Sequence, residues 1–228
     1  MNCPIFAKFW YDKFRTLTCW EEHSATKRNS KGASARGPRL SLNKLAATPL
    51  FRLADAIELG FSQPTIARAV ARGELIRLEH DLYRHPESKL DPALEEYAVA
   101  CAHFGSEAAI AGLTALFHYS LTDQAPRQIW ITAPIQKRTK NPRYRLIRTR
   151  VSSDIGVVNE EYFRITSIER TLAEALRHAT KIGLETALRA CRQAFIDKKT
   201  TPQRVLQVAR DIGIETSVLR YWESINVE

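Results

Sequence analysis

Cysteine is sparse and scattered in this chain: four in 228 residues, at Cys3, Cys19, Cys101 and Cys191, with no C-x-x-C pair and no histidine at ligand spacing. A closed structural zinc site needs four clustered ligands, so no metal is expected. The thiols read as buried or incidental groups in a reducing cytoplasm. No apolar run approaches the roughly 20 residues needed to cross a bilayer. The opening MNCPIFAKFWYDKFR is interrupted by Lys8, Lys13 and Arg15 and lacks the long apolar stretch of a secretory leader, so a cytoplasmic location is expected. Catalytic signatures are missing too. There is no G-x-x-x-x-G-K-[ST] or G-x-G-x-x-G loop to cradle phosphates, and no G-x-S-x-G nucleophile elbow. The one E-x-K, Glu87-Ser88-Lys89, falls in a linker, and Glu160-Glu161 is adjacent rather than facing. His103, His118 and His178 stand isolated and read as helix-packing or hydrogen-bonded groups. Nothing assembles a nucleophile, a base and an orienting group, so no enzyme activity, cofactor or small-molecule substrate is expected.

What the chain has is positive charge: net +9, with an isoelectric point near 9.6. An anionic partner is favoured. The charge is unevenly spread. Residues 1–39 carry +5, residues 40–86 only +1, residues 87–133 carry −4, residues 134–150 carry +7, and residues 151–228 are neutral.

Residues 1–39 read as an N-terminal extension, flexible over the Ser-, Gly- and Lys/Arg-rich 24–38 and with a short amphipathic helix over 3–20. Residues 40–86 read as a winged helix-turn-helix. A first helix spans Leu42–Ala47 and a second Leu53–Leu59, with Gly60 as the turn. Ser62 caps a third helix that tolerates Pro64 in its first turn and stops at Gly73. Ile66, Ala69 and Val70 recur at helical spacing and should face the core. The opposite face then carries Arg68 and Arg72, with Gln63 and Thr65 near its start. Such long donors on an exposed helix can read base edges in the major groove. Leu75–Glu79 and Leu82–His85 form a wing with His80-Asp81 at its tip, where Asp tolerates a left-handed backbone. From the wing, Arg77 and Arg84 would reach phosphates.

After a linker at 86–91, residues 91–228 read as a mixed α/β domain with a helical C-terminus. Asp91-Pro92 caps a helix to Phe104, and a second helix covers Glu107–Tyr119. Strands follow at Arg127–Ala133, at Tyr144–Val151 with its arginines on one face, and at Phe163–Ile165. Thr166-Ser167-Ile168-Glu169 has the capping-box form. It opens a helix striped with Ile168, Leu172, Ala175 and Leu176. Leu184–Ile196 follows, burying Leu184, Ala187, Leu188, Cys191 and Phe195, and helices at Pro202–Asp211 and Ser217–Ile225 close the chain. The basic stretch Lys137, Arg138, Lys140, Arg143, Arg145, Arg148 and Arg150 offers further phosphate contacts.

Four segments in order carry a family resemblance: ARGELIRLEHDLYR (71–84), GLTALFHYSLTDQAPRQIWITAP (112–134), RITSIERTLAEALRHATKIGLETAL (164–188) and Arg220-Tyr221-Trp222. Together they resemble AbiEi-type antitoxins of type IV toxin–antitoxin systems. The resemblance implies a winged-helix head that binds operator DNA and represses its own operon. It also implies a C-terminal domain that neutralises a cognate nucleotidyltransferase-like toxin. Two departures stand out: Asp81 occupies a position where the family usually has Gly, and residues 1–39 have no counterpart. Two other readings stay open: an enzyme acting on nucleic acid through carboxylates gathered from distant positions, and a purely protein-binding antitoxin whose head is vestigial.

Overall fold

The computed structural model describes residues 42–46, 48–88, 90–152 and 154–225. The N-terminal extension expected over 1–39, with its helix and linker, lies outside these residues, as does Ala47. The chain divides into two compact units, one ending at Lys89 and the other beginning at Leu90. It is mixed α/β, with helices and two sheets.

The first unit contains α1 (Asn43–Ala46), β1 (Phe51–Arg52), α2 (Leu53–Glu58), α3 (Gln63–Ala71), β2 (Ile76–Glu79) and β3 (Leu82–Arg84). Its strands form an antiparallel sheet in the order β1-β3-β2. The short β1 adds to the two strands expected, and Phe51 on it stacks on Tyr83 of β3 at 5.9 Å. Leu45, Phe51, Ala56, Phe61, Ile66, Ala69 and Leu75 make one small core, with Val70 partly buried against it.

The ends of α2 and α3 each follow from a glycine. At Gly60 (φ 92°) the Gly60 N–H donates to Ile57 O and Phe61 N–H to Ala56 O; at Gly73 (φ 75°), Gly73 N–H donates to Val70 O and Glu74 N–H to Ala69 O. This paired closure needs a left-handed residue just past the helix, which a side chain disfavours. The start of α2 is capped by two carboxylates. Arg52 N–H donates to Asp55 Oδ2 at 2.8 Å, and Leu53 N–H to Asp81 Oδ1 at 3.3 Å. Asp81 itself sits at φ 66° in the hairpin tip. It takes the conformation a glycine would take and adds an acceptor that glycine lacks.

The second unit is built on a five-stranded sheet in the order β6-β5-β4-β8-β7. Its elements begin with α4 (Glu95–Phe104), β4 (Ala109–Ile110), α5 (Gly112–His118), β5 (Ile129–Pro134) and β6 (Tyr144–Thr149). There follow β7 (Val157–Asn159), β8 (Arg164–Thr166), α6 (Ile168–Arg177), α7 (Ala179–Ile182), α8 (Leu184–Ile196), α9 (Pro202–Asp211), α10 (Glu215–Leu219) and α11 (Trp222–Ile225). β5 and β6 run parallel, as do β4 and β8, while β4–β5 and β7–β8 are antiparallel. One face packs Ile110, Ile131, Tyr144 and Ile165 against Cys101 and Phe104 of α4. The other packs Trp130 against Leu113, Leu116 and the apolar faces of α6, α8 and α9.

Several expectations are corrected here. The stretch read as one helix from Glu107 to Tyr119 contains the central strand β4, and α5 begins only at Gly112. Gly112 is required at φ 53°, because a Cβ there would meet Trp130 Cε3 at 2.6 Å. β7 was not foreseen. Asp91 accepts from Ala93 N–H, but α4 starts later, at Glu95. The last helix is two, α10 and α11, parted at Arg220-Tyr221. The expected capping box does not form, and the N-cap lies one residue later. Ser167, not Thr166, caps α6 by accepting from Arg170 N–H. Thr166 belongs to β8 with its hydroxyl against that of Thr171 at 2.7 Å, and Glu169 accepts from the Thr200 hydroxyl at 2.8 Å. On α8 the buried stripe is Ala187, Ala190, Cys191 and Ala194, while Leu184 is 42% exposed.

Helix α6 buries an ion pair as well as its apolar stripe. Arg170 Nε lies 2.8 Å from Glu174 Oε1, with the two side chains only 1% and 7% exposed. Arg170 Nη1 also donates to Ile155 O at 2.6 Å, tying the turn before β7 to the helix. Among the described residues no helix is long and apolar enough to cross a membrane, and no cluster of His, Cys, Asp and Glu could hold a metal ion. Burial pushes the Cys101 thiol up to about 11 and that of Cys191 up to about 12, as expected of inert interior groups.

Candidate nucleic-acid interface

α3 is two-faced. Ile66 and Ala69 are buried, which leaves Gln63, Pro64, Arg68, Ala71 and Arg72 at the surface and Thr65 half-exposed. Ser62 holds the N-cap position, but its hydroxyl meets that of Thr65 at 2.9 Å instead of a backbone amide. Arg68 and Gln63 have no side-chain partner among the described residues. Arg72 differs. Its Nε and Nη2 grip Glu74 at 2.7 and 2.8 Å, and that hydrogen bonding holds the Glu74 carboxyl below its ordinary range. Of the two arginines expected on this face, only Arg68 presents an unengaged guanidinium.

The hairpin sets apart the two arginines expected to reach phosphates. Arg77 on β2 is exposed and donates to Glu79 O at 3.4 Å, whereas Arg84 on β3 is half-buried. The register breaks between Arg77 and Glu79, and the tip residues 80–81 follow.

The basic 134–150 stretch comprises the end of β5, a loop and the edge strand β6. Its arginines do not share one face. Alternation puts Arg145 on the side of Ile147 and Trp130, and Arg148 on the side of Tyr144 and Leu146. Two residues intervene between Arg145 and Arg148, an odd step that flips the face. Arg145 stacks its guanidinium over Trp130, 4.4 Å from the ring centroid. Arg143 pairs with Glu96 at 3.3 Å, and Arg138 Nη1 donates to Ile135 O at 2.9 Å. Lys137, Lys140, Arg148 and Arg150 are exposed.

Beside β6, the edge strand of the sheet among the described residues, lies a cleft of about 370 Å³. Arg138, Arg145 and Arg148 line it, with Trp130, Ile135, Leu146, Ile147, His178 and Lys181. His178 is therefore not isolated. Burial first, then the charges of Lys181, Arg177 and Arg145, push its imidazole down to about 4. His178 and Lys181 escaped sequence reading because they lie in and beside α7, far along the chain from β6, with no local pattern joining them.

A comparison with curated proteins gives no match. Over residues 42–86, the span that holds α3 and the hairpin, the chain matches the family model described as "Transcriptional regulator, AbiEi antitoxin".

Proposed function

We propose that residues 42–86 act as a winged helix-turn-helix that reads double-stranded operator DNA, and that the chain is the autorepressing antitoxin of a type IV toxin–antitoxin system. The observation that carries the DNA reading is the outward face of α3, with Arg68 and Gln63 unengaged among the described residues and opposite Ile66 and Ala69. The match to a transcriptional-regulator family over the same residues supports it. In this reading α3 enters the major groove, with Gln63, Thr65 and Arg68 at base edges and Arg77 and Arg84 on the backbone. Arg72 would exchange its exposed pairing with Glu74 for the DNA, whereas Arg68 engages directly. The 90–225 unit neutralises a nucleotidyltransferase-like toxin, a role that rests on the resemblance of 112–134 and 164–188 to AbiEi-type antitoxins.

Operator binding by the full chain, followed by fluorescence anisotropy on its own promoter fragment, tests this. Arg68→Ala should lose about 1–3 kcal/mol and relax preference at one site position, while Arg72→Ala loses less. Toxin neutralisation in a co-expression growth assay should survive both. Unchanged operator affinity in Arg68→Ala would sink the α3 assignment. Neutralisation by a protein that binds no promoter DNA would favour the purely protein-binding reading.

A further inference from the structure

We propose that the cleft at the β6 edge binds a phosphorylated small molecule of nucleotide size, held by Arg138, Arg145, Arg148 and Lys181. This goes beyond the operator reading and does not depend on it. The four cations reach the cleft from three separate elements: the β5–β6 loop, β6 and the end of α7. None of them pairs with a carboxylate among the described residues. Like charges gathered without a counter-charge repel one another, and an anion between them relieves that repulsion. His178 lines the same cleft, its imidazole pushed down by burial first and then by the charges of Lys181, Arg177 and Arg145.

The donors are also held in place. Trp130 fixes Arg145 from below, and the Ile135 carbonyl fixes Arg138. Guanidinia held in this way suit the paired oxygens of a phosphate. The volume falls in the range of small-molecule sites, roughly 300–1,000 Å³, and the apolar Ile135 and Leu146 beside the cations would take the organic part. A duplex presents its phosphates in a row on a convex surface, whereas cations that line one cleft from three elements suit one compact anion.

The test is calorimetric titration of the full chain at low salt, with ATP and inorganic tripolyphosphate as probes. ATP should bind saturably, and tripolyphosphate should compete with it. Arg148→Glu/Lys181→Glu, at two surface positions, should weaken ATP about tenfold or more, and the milder Lys181→Gln should weaken it less. Arg68→Ala should leave ATP binding unaltered, which separates this site from the operator reading. No saturable ATP binding, or equal binding by the double variant, would overturn the proposal. So would silence toward ATP while a short duplex of random sequence loses affinity on the same double substitution, since the cations would then serve a nucleic-acid backbone.

Discussion

Asp81 shows how one side chain can do the work expected of glycine and add to it. Its backbone is left-handed, and its carboxylate accepts the Leu53 amide at the start of α2. Asp81→Gly therefore removes only the acceptor, whereas Asp81→Ala removes the acceptor and also strains the backbone. Urea unfolding should show a loss of about 0.5–1 kcal/mol for Gly and about 1–2 kcal/mol for Ala. An alanine variant as stable as the glycine variant would mean that the tip relaxes out of its left-handed turn. His178 makes a second residue-scale prediction, in pH. Its folded imidazole titrates near 4, below the ordinary 6.5. The unfolded chain thus binds the proton more readily between those values. Stability should be unaffected by this group above about pH 6.5, fall as pH drops toward 4, and level off below. Melting curves across that window should flatten in His178→Gln; an equally steep decline in the variant would assign the effect to other groups.

At the scale of elements, α6 depends on a buried charge pair. Arg170→Ala leaves Glu174 buried without its counter-ion and frees the Ile155 carbonyl, so thermal or urea unfolding should record a loss of about 3–5 kcal/mol. Arg170→Met/Glu174→Leu removes both charges and should recover much of it; a double variant no better than the single would place the cost in the Ile155 contact. This pair also shows what was legible in the sequence. The apolar stripe of α6 was readable from spacing, but Arg170 and Glu174 lie in the same helix as ordinary charged residues, and nothing local marks them as buried. The glycine stops at 60 and 73 were legible because the backbone conformation demands that residue type. The central strand β4 was not: it is two residues long and buried on both faces, with no alternation to display, between segments that favour helix. The expected capping box failed to form for a related reason, since the Thr166 hydroxyl is taken by Thr171 and Glu169 by Thr200, contacts that only the folded chain creates. The alternation of β6 was legible, but the three-residue step from Arg145 to Arg148 puts these two arginines on opposite faces. The cleft was invisible because its walls are distant in sequence.

For the molecule as a whole, the question is where an anion would meet its charge. The 40–86 segment that contains α3 carries only +1, while 134–150 carries +7 with no acidic residue at all. If the first unit alone met DNA, few counterions would be released and the salt dependence of operator binding would be shallow. If exposed cations of the β5–β6 stretch also met flanking phosphates, that dependence would steepen with each contact. Lys140, Arg148 and Arg150 are the right residues to neutralise, because they are exposed and pair with no carboxylate among the described residues. Replacing all three by Gln should reduce the slope of log K against log salt by about 2–3 if each meets a phosphate. Preference among operator sequences should stay as it was, since backbone contacts carry no base identity. An unchanged slope would confine DNA contact to the first unit and leave the β6 edge to the small anion proposed for its cleft or to a protein surface. A reduced slope with ATP binding intact in Lys140→Gln/Arg150→Gln would mean that the basic 134–150 stretch serves two anions.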